Sequence, residues 1–220
     1  MRVLGWIEEL APDLIAIGAG SPPAPRWDQD WFPRLDAAAA YAIVRMTRPA
    51  RIVEVGSGHS TRFLARAVRD GGLRTQITAI DPAPRASIAG LEVRYLPQPV
   101  QRGDVGLFQS LAPGDILFVD SSHQLKPGSD VEFLFERVLP RLASGVRVHF
   151  HDIFLPDEYP AGWAWRRYNE QAAVAALIGG GYALEFSSHQ AAAGGRLNGV
   201  LARLPLLKGA METSLWLTKQ

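Results

Sequence analysis

Two groups of residues in this sequence have the types and spacing to do chemistry. The first is the run Glu54-Val55-Gly56-Ser57-Gly58-His59-Ser60-Thr61, which follows a β-branched stretch and precedes an amphipathic one. Glycines at 56 and 58 permit a tight turn and let a ligand approach backbone N–H groups where a helix begins. Thr61 stands where a dinucleotide fingerprint has its third glycine, which disfavours an NAD loop, and no Walker lysine follows. Asp81, in Ala79-Ile80-Asp81-Pro82, closes the next β-rich run. An Asp-Pro pair alone is a turn, but an acid at that place can accept hydrogen bonds from both hydroxyls of a ribose. With the glycine loop it predicts a nucleoside site.

The second group is Asp120, His123, His151 and Asp152, placed at the carboxyl ends of predicted neighbouring strands. Adjacent strands lie about 4.8 Å apart, so side chains at their ends converge on one small volume. Open α/β sheets carry their sites at that edge. An imidazole titrating near neutrality suits removal of a proton from a hydroxyl or protonated amine. His123 or His151 is therefore the expected general base, with Asp152 orienting an imidazole or the acceptor. The same residues also offer a mixed His/Asp set for a divalent metal, a set that suits Zn, Fe or Mn better than Mg. His149 alternates with His151 on one strand and, lying deeper, reads as a core histidine. Asp152 has a plainer reading too, as the cap of the next turn.

These residues need elements to hold them. β-Rich runs at Arg51–Val55, Gln76–Ile80, Val93–Leu96, Ile116–Val119 and Val146–Phe150 alternate with helical or loop segments, which predicts a parallel sheet. Between the first two, Thr61–Arg69 sets Phe63, Leu64, Ala67 and Val68 against Arg62, Arg66 and Arg69 as a crossover helix. A helix from Leu35 ends at Pro49, and Ser129 with Glu132 opens another that runs through Leu139 toward Arg141. A helix over Trp165–Ile178 and strands near Tyr182–Phe186 and Ser214–Leu217 complete the pattern. Residues 1–32, with Pro12, Pro22, Pro23 and Pro25 beside Trp27, Trp31 and Phe32, read as an N-terminal arm or lid, and residues 33–220 as the single main domain.

Taken together, the glycine loop with Glu54, the acid at Asp81 and Asp115-Ile116-Leu117-Phe118-Val119-Asp120-Ser121-Ser122-His123 resemble a class I S-adenosylmethionine-dependent methyltransferase, over about residues 35–218. The run Val148-His149-Phe150-His151-Asp152-Ile153-Phe154, then Glu158-Tyr159-Pro160, Trp165 and Tyr168-Asn169-Glu170-Gln171, is similar to a branch of small stand-alone bacterial enzymes. The resemblance implies a Rossmann-like, doubly wound α/β fold: seven strands, mostly parallel with an antiparallel last strand, and helices on both faces. It implies S-adenosylmethionine as cofactor. Gly56, Ser57 and Gly58, with Thr61 opening the helix, would pass beneath its amino acid part, Glu54 would orient its ammonium, Asp81 would hold its ribose, and Asp120 would face the methionine portion or the acceptor. Gln101, in Pro97-Gln98-Pro99-Val100-Gln101, is the candidate adenine contact. Catechol O-methyltransferase-like relatives place metal ligands where Asp120 and Asp152 stand, and His151 departs from that pattern.

Composition narrows the partners. With 23 Lys+Arg against 22 Asp+Glu, and arginines scattered along the chain, nothing points to nucleic acid. The absence of Cys excludes disulfide scaffolds, thiolate nucleophiles and Cys-bound metals, and suits a cytoplasmic location. The apolar run from Val3 meets Glu8 and Glu9 too soon for a signal peptide, and Ala172–Ile178 stops at Gly179-Gly180-Gly181, far short of the ~20 residues a membrane span needs. The expected partner is a small methyl acceptor oxygen or nitrogen, with an oligomer possible. A sensor or scaffold that binds the cofactor without transferring its methyl is the alternative.

Overall fold

The computed structural model describes residues 2–18, 20–195, 197 and 199–220. Its strands are β1 (Arg51–Val55), β2 (Gln76–Ile80), β3 (Arg94–Leu96), β4 (Ile116–Val119), β5 (Arg147–Phe150), β6 (Tyr182–Ser187) and β7 (Leu215–Lys219). They form one seven-stranded sheet in the order β3-β2-β1-β4-β5-β7-β6. β1 to β5 pair in parallel, and β7 runs antiparallel to both β5 and β6. This is the doubly wound fold the resemblance implies.

β1, β2, β4 and β5 are buried along nearly their whole length because both faces of the sheet are covered. Ile52, Ile77, Ile116 and Phe118 point into one core, while Val53, Val55, Leu117, Val119 and Val148 point into the other. The first core is built on helices α1 (Arg2–Glu9), α2 (Ala11–Ile15), α3 (Arg34–Thr47) and α4 (His59–Asp70). Leu35 through Val44 of α3 are all buried, and the helix closes with Arg48 in the left-handed region (φ 50°) just before Pro49. Within the segment expected as an arm or lid, Val3, Ile7, Leu14, Trp27 and Phe32 belong to this same core, whereas Trp31 stays exposed.

The other face carries α5 (Val105–Gln109), α6 (Asp130–Phe133) and α7 (Glu170–Leu177), and α8 (Ser188–Ala193) follows β6. Ser129 caps α6 by accepting from the Glu132 N–H (3.1 Å), although the Glu132 carboxylate takes the Gly128 N–H (2.6 Å) instead of that of Ser129. The single helix expected from there changes winding, to a π turn at Leu134–Val138 and a 3-10 turn at Leu139–Arg141. Pro140 is the reason: it lacks the N–H an α-helix would use there. The Arg141 guanidinium serves the carbonyls of Glu136 and Arg137 instead (2.9 Å and 2.9 Å).

The helix expected over Trp165–Ile178 is likewise two pieces. A 3-10 segment covers Ala161–Arg166, Arg167 turns left-handed (φ 56°), and α7 begins only at Glu170. Tertiary bonds fix that break. The Asn169 side chain pairs with both backbone groups of Leu125 (2.6 Å and 3.0 Å), which holds the chain out of helical geometry at that point.

Candidate active site

Parallel register sets the site. Val55 lies opposite both Ile80 and Val119, and Val119 lies opposite Phe150. The next residue on each of these strands is Gly56, Asp81, Asp120 or His151, so four non-consecutive residues stand in one row at the carboxyl edge. The ladder continues into that row: the N–H groups of Gly56, Asp120 and His151 donate to Ile80, Val55 and Val119 at 3.0, 2.9 and 3.0 Å.

At Gly56 the backbone has φ 84°, and a Cβ placed there would meet the Asp120 carbonyl oxygen at 1.8 Å. Only glycine fits. The turn it allows brings Ser57 to Asp81, whose Oδ2 accepts from the Ser57 N–H (2.7 Å) and hydroxyl (3.0 Å) while Oδ1 accepts from the Ala83 N–H (2.7 Å). Gly56, Ser57, Asp81, Gln101 and Asp120 line one cleft of about 520 Å³. Gly58 (φ 152°) faces Arg85 and Ala86.

Glu54 and Thr61 are not on the surface of that cleft. The Glu54 carboxyl is buried beneath the loop, where the Ser60 and Thr61 hydroxyls donate to it at 2.6 Å and 2.6 Å. Thr61 Oγ1 in turn accepts from the Gly58 N–H (2.9 Å), so these side chains lace the loop to the first turn of α4. Burial pushes the Glu54 carboxyl up to about 8, with the hydroxyl bonds opposing and the charges of Asp120 and Asp81 adding to the rise.

A second cavity, of about 140 Å³, adjoins the first and shares Ser57, Arg85 and Asp120 with it. His123, His151 and Asp152 line it with Asp120. His123 Nε2 lies 3.4 Å from Asp120 and 3.6 Å from Asp152, and His151 Nδ1 lies 3.5 Å and 3.6 Å from the same two carboxylates. The far nitrogen of each ring meets another buried acid, Glu170 at 2.9 Å for His123 and Asp36 at 3.3 Å for His151. Both His123 and Asp152 have left-handed backbone (φ 56° each), an unfavourable geometry for residues with a Cβ that the surrounding contacts must hold.

Those contacts explain why the segment Tyr168-Asn169-Glu170-Gln171 matters. The N–H groups of Asn169 and Glu170 donate to the His123 carbonyl (3.1 Å and 3.3 Å), and Gln171 ties Phe154 and Asp157 through its side chain. The start of α7 thus gathers the loops after β4 and β5. Asp36, in the first turn of α3, accepts from the backbone N–H groups of Thr213 and Ser214 ahead of β7.

Electrostatically the cluster locks itself. Burial works against charge on both imidazoles, yet hydrogen bonds donated to Asp120 and Glu170 hold His123 well above the usual imidazole range, and the charges of Asp152 and Asp120 do the same for His151. The imidazoles in turn overcome burial at Asp120 and hold its carboxyl far below the usual carboxylate range. The surroundings thus shift both His123 and His151 upward from the ordinary imidazole range. His59, which also lines the second cavity, goes the other way, lowered to about 4 by burial and by Arg62 and Arg26.

His149 is a core residue, stacked on Phe118 (centroids 3.7 Å apart) and bonded to the Ser214 hydroxyl at 2.8 Å. Trp31, Phe32, Trp163 and Tyr168 wall the second cavity, whereas Trp165 points to solvent and Trp27 packs on Phe63. Sequence reasoning gave Asp36 and Glu170 no role. One signal existed for Asp36, an acid set in the run Leu35–Ala40 of a helix that is otherwise apolar. Regarding a metal, among the described residues no group of three or more His, Asp or Glu is disposed to hold one. The carboxylates and imidazoles pair with each other.

Residues 53–153, from β1 to just past β5, match the family model described as a methyltransferase domain. The matched segment holds the glycine loop, Asp81, Asp120 and His151. Among solved structures, the chain resembles the O-methyltransferase from Bacillus cereus in complex with SAH, at 13% identity and TM-score 0.52, covering 100% of this chain and 91% of that one. It also resembles cofactor-bound Rv0187 from MTB, at 12% identity and TM-score 0.53, covering 100% and 90%. SAH-bound PaMTH1 of Podospora anserina is similar at 20% identity and TM-score 0.49, covering 100% and 94%. No curated protein matches in sequence. Among the described residues, no helix is long and apolar enough to cross a membrane.

Proposed function

We propose that the chain transfers a methyl group from S-adenosylmethionine to a hydroxyl or amine of a small acceptor. One observation carries this reading: the glycine-loop cleft and the histidine-lined cavity share a wall at Ser57, Arg85 and Asp120. A nucleoside in the first and an acceptor in the second meet there. The bare backbone at Gly56 and the Asp81 carboxylate suit the amino acid and ribose ends of such a molecule. When bound, S-adenosylmethionine supplies an activated methyl on a sulfonium.

The protein's own part is alignment and proton removal. Asp120 stays ionised and faces the sulfonium. His123 is the proton acceptor, its ring fixed through Nδ1 by Glu170 and its Nε2 turned to Asp120 and Asp152. It must first release its own proton, and a positive sulfonium beside Asp120 favours that release. His151, held by Asp36, supplies the opposing positive charge, and Asp152 aligns the acceptor. Glu54 acts from below, by fixing the loop through Ser60 and Thr61, and Gln101 faces the adenine. Trp31 and Phe32 close the acceptor cavity from the N-terminal side, the lid part of residues 1–32.

Calorimetry with S-adenosylhomocysteine and transfer of labelled methyl into a metabolite extract test the reading. Micromolar or tighter binding with transfer is expected. Absence of binding overturns it, and binding without transfer from any extract points to a non-catalytic binding protein instead.

A further inference from the structure

The acceptor cavity has two arginines among its lining residues, Arg85 and Arg166. Each guanidinium lies over aromatic rings: Arg85 over Trp31 at 4.5 Å, and Arg166 over Trp163 at 4.2 Å, Trp165 at 5.1 Å and Tyr168 at 5.5 Å. Among the described residues neither has a carboxylate within ion-pair distance. For Arg166 the side-chain partner is the Tyr168 hydroxyl (3.1 Å), and its Nε is buried without any partner. A guanidinium clamped by rings and left with free donors is preorganised for an oxyanion, because the fork geometry matches two oxygens of a carboxylate or phosphate and the rings restrict its motion in advance.

The acids lining the cavity are Asp30, Asp120 and Asp152. The last two are engaged with His123 and His151, and Asp120 borders the cofactor cleft. Tyr168 stands between the two ends, its ring 4.6 Å from that of His123 on one side and under Arg166 on the other. The cavity is therefore polarised, with a proton-accepting end at His123 and a cationic end at Arg166, one aromatic ring apart.

Resting on the methyl-transfer reading, we propose that Arg166 is the specificity-determining residue and that the acceptor is a small hydroxyl- or amino-bearing compound carrying an oxyanion, carboxylate or phosphate. The oxyanion sits on Arg166, and the group to be methylated sits at His123. In the reaction the acceptor's lone pair forms the new bond to the methyl carbon, the carbon–sulfur bond breaks with its electrons going to sulfur, and the acceptor proton passes to His123.

The test separates a metabolite extract by ion exchange into anionic, neutral and cationic pools, each incubated with pure protein and labelled S-adenosylmethionine. Label is expected with the anionic pool. Arg166→Met should raise the pool concentration giving half-maximal rate at least tenfold, Arg166→Lys should restore part of it, and both should bind S-adenosylhomocysteine as the wild type does. Phosphatase treatment of the anionic pool beforehand distinguishes the sources: loss of labelling identifies a phosphate, survival a carboxylate. Labelling of the neutral or cationic pool, or an Arg166→Met enzyme as effective as wild type, overturns the proposal while leaving methyl transfer intact. Labelling of no pool overturns it as well, and loss of S-adenosylhomocysteine binding by the wild type marks failure of the methyl-transfer reading itself.

Discussion

His123 Nδ1 and Glu170 Oε2 lie 2.9 Å apart although 47 residues separate them in sequence, and both side chains are buried. That bond fixes the ring so that Nε2 faces the Asp120 and Asp152 carboxylates. Glu170→Gln keeps the shape and removes the charge. It is expected to lower kcat by about 10²-fold, the scale of a positioned base, with S-adenosylhomocysteine affinity unchanged within twofold. Because Glu170 helps raise the His123 pKa, the pH–rate profile of the variant should also move to lower pH. A parallel loss of cofactor affinity would show a merely structural role.

The shifts at His123 and His151 give activity and stability opposite pH trends. A base whose pKa is raised becomes competent only as pH climbs, so kcat/KM should rise above about pH 6.5, the ordinary imidazole value. A raised histidine pKa stabilises the fold fully below the unfolded value and loses that contribution as pH rises through the folded one. Tm should therefore fall over the same alkaline interval. Activity scans and thermal melts in matched buffers check this, and a rate that declines from pH 6.5 upward would contradict the base assignment.

Gly56→Ala should be among the most damaging single-methyl changes in the chain. The added carbon would sit 1.8 Å from the Asp120 carbonyl at φ 84°, so the loop or the end of β4 must move. A loss of about 2 kcal/mol or more in unfolding free energy is expected, together with at least tenfold weaker S-adenosylhomocysteine binding. Urea unfolding and calorimetry measure the two separately.

Asp81→Asn tests the ribose contact. The carboxylate accepts from Ser57 and Ala83, and an amide can keep only part of that set. S-adenosylhomocysteine affinity should drop roughly tenfold, about one charged hydrogen bond, with Tm little changed. Unaltered affinity would remove Asp81 from the site.

Much of the sheet was legible in the sequence. Arg51–Val55, Gln76–Ile80 and Ile116–Val119 are strands with the expected bounds, and the crossover helix expected at Thr61–Arg69 runs from His59 to Asp70. Such elements are local: a buried face repeats its apolar residues at short range, and a glycine turn between strand and helix leaves a mark in consecutive residues. From the same signals Gly56, Asp81, Asp120 and His151 fall at strand ends, and parallel pairing puts them in one row.

Only the tertiary structure decided what surrounds that row. Asp36 reaches His151 across 115 residues and Glu170 reaches His123 across 47, through packing that no spacing rule encodes. Asn169 ends one turn and starts the next because Leu125 bonds to it, which is why helical periodicity from Trp165 onward misplaced the start of α7. The upward pKa shift of both histidines follows from the same cause. A pKa depends on burial and on the charges within a few ångströms, and which charges those are is settled only when distant segments pack together.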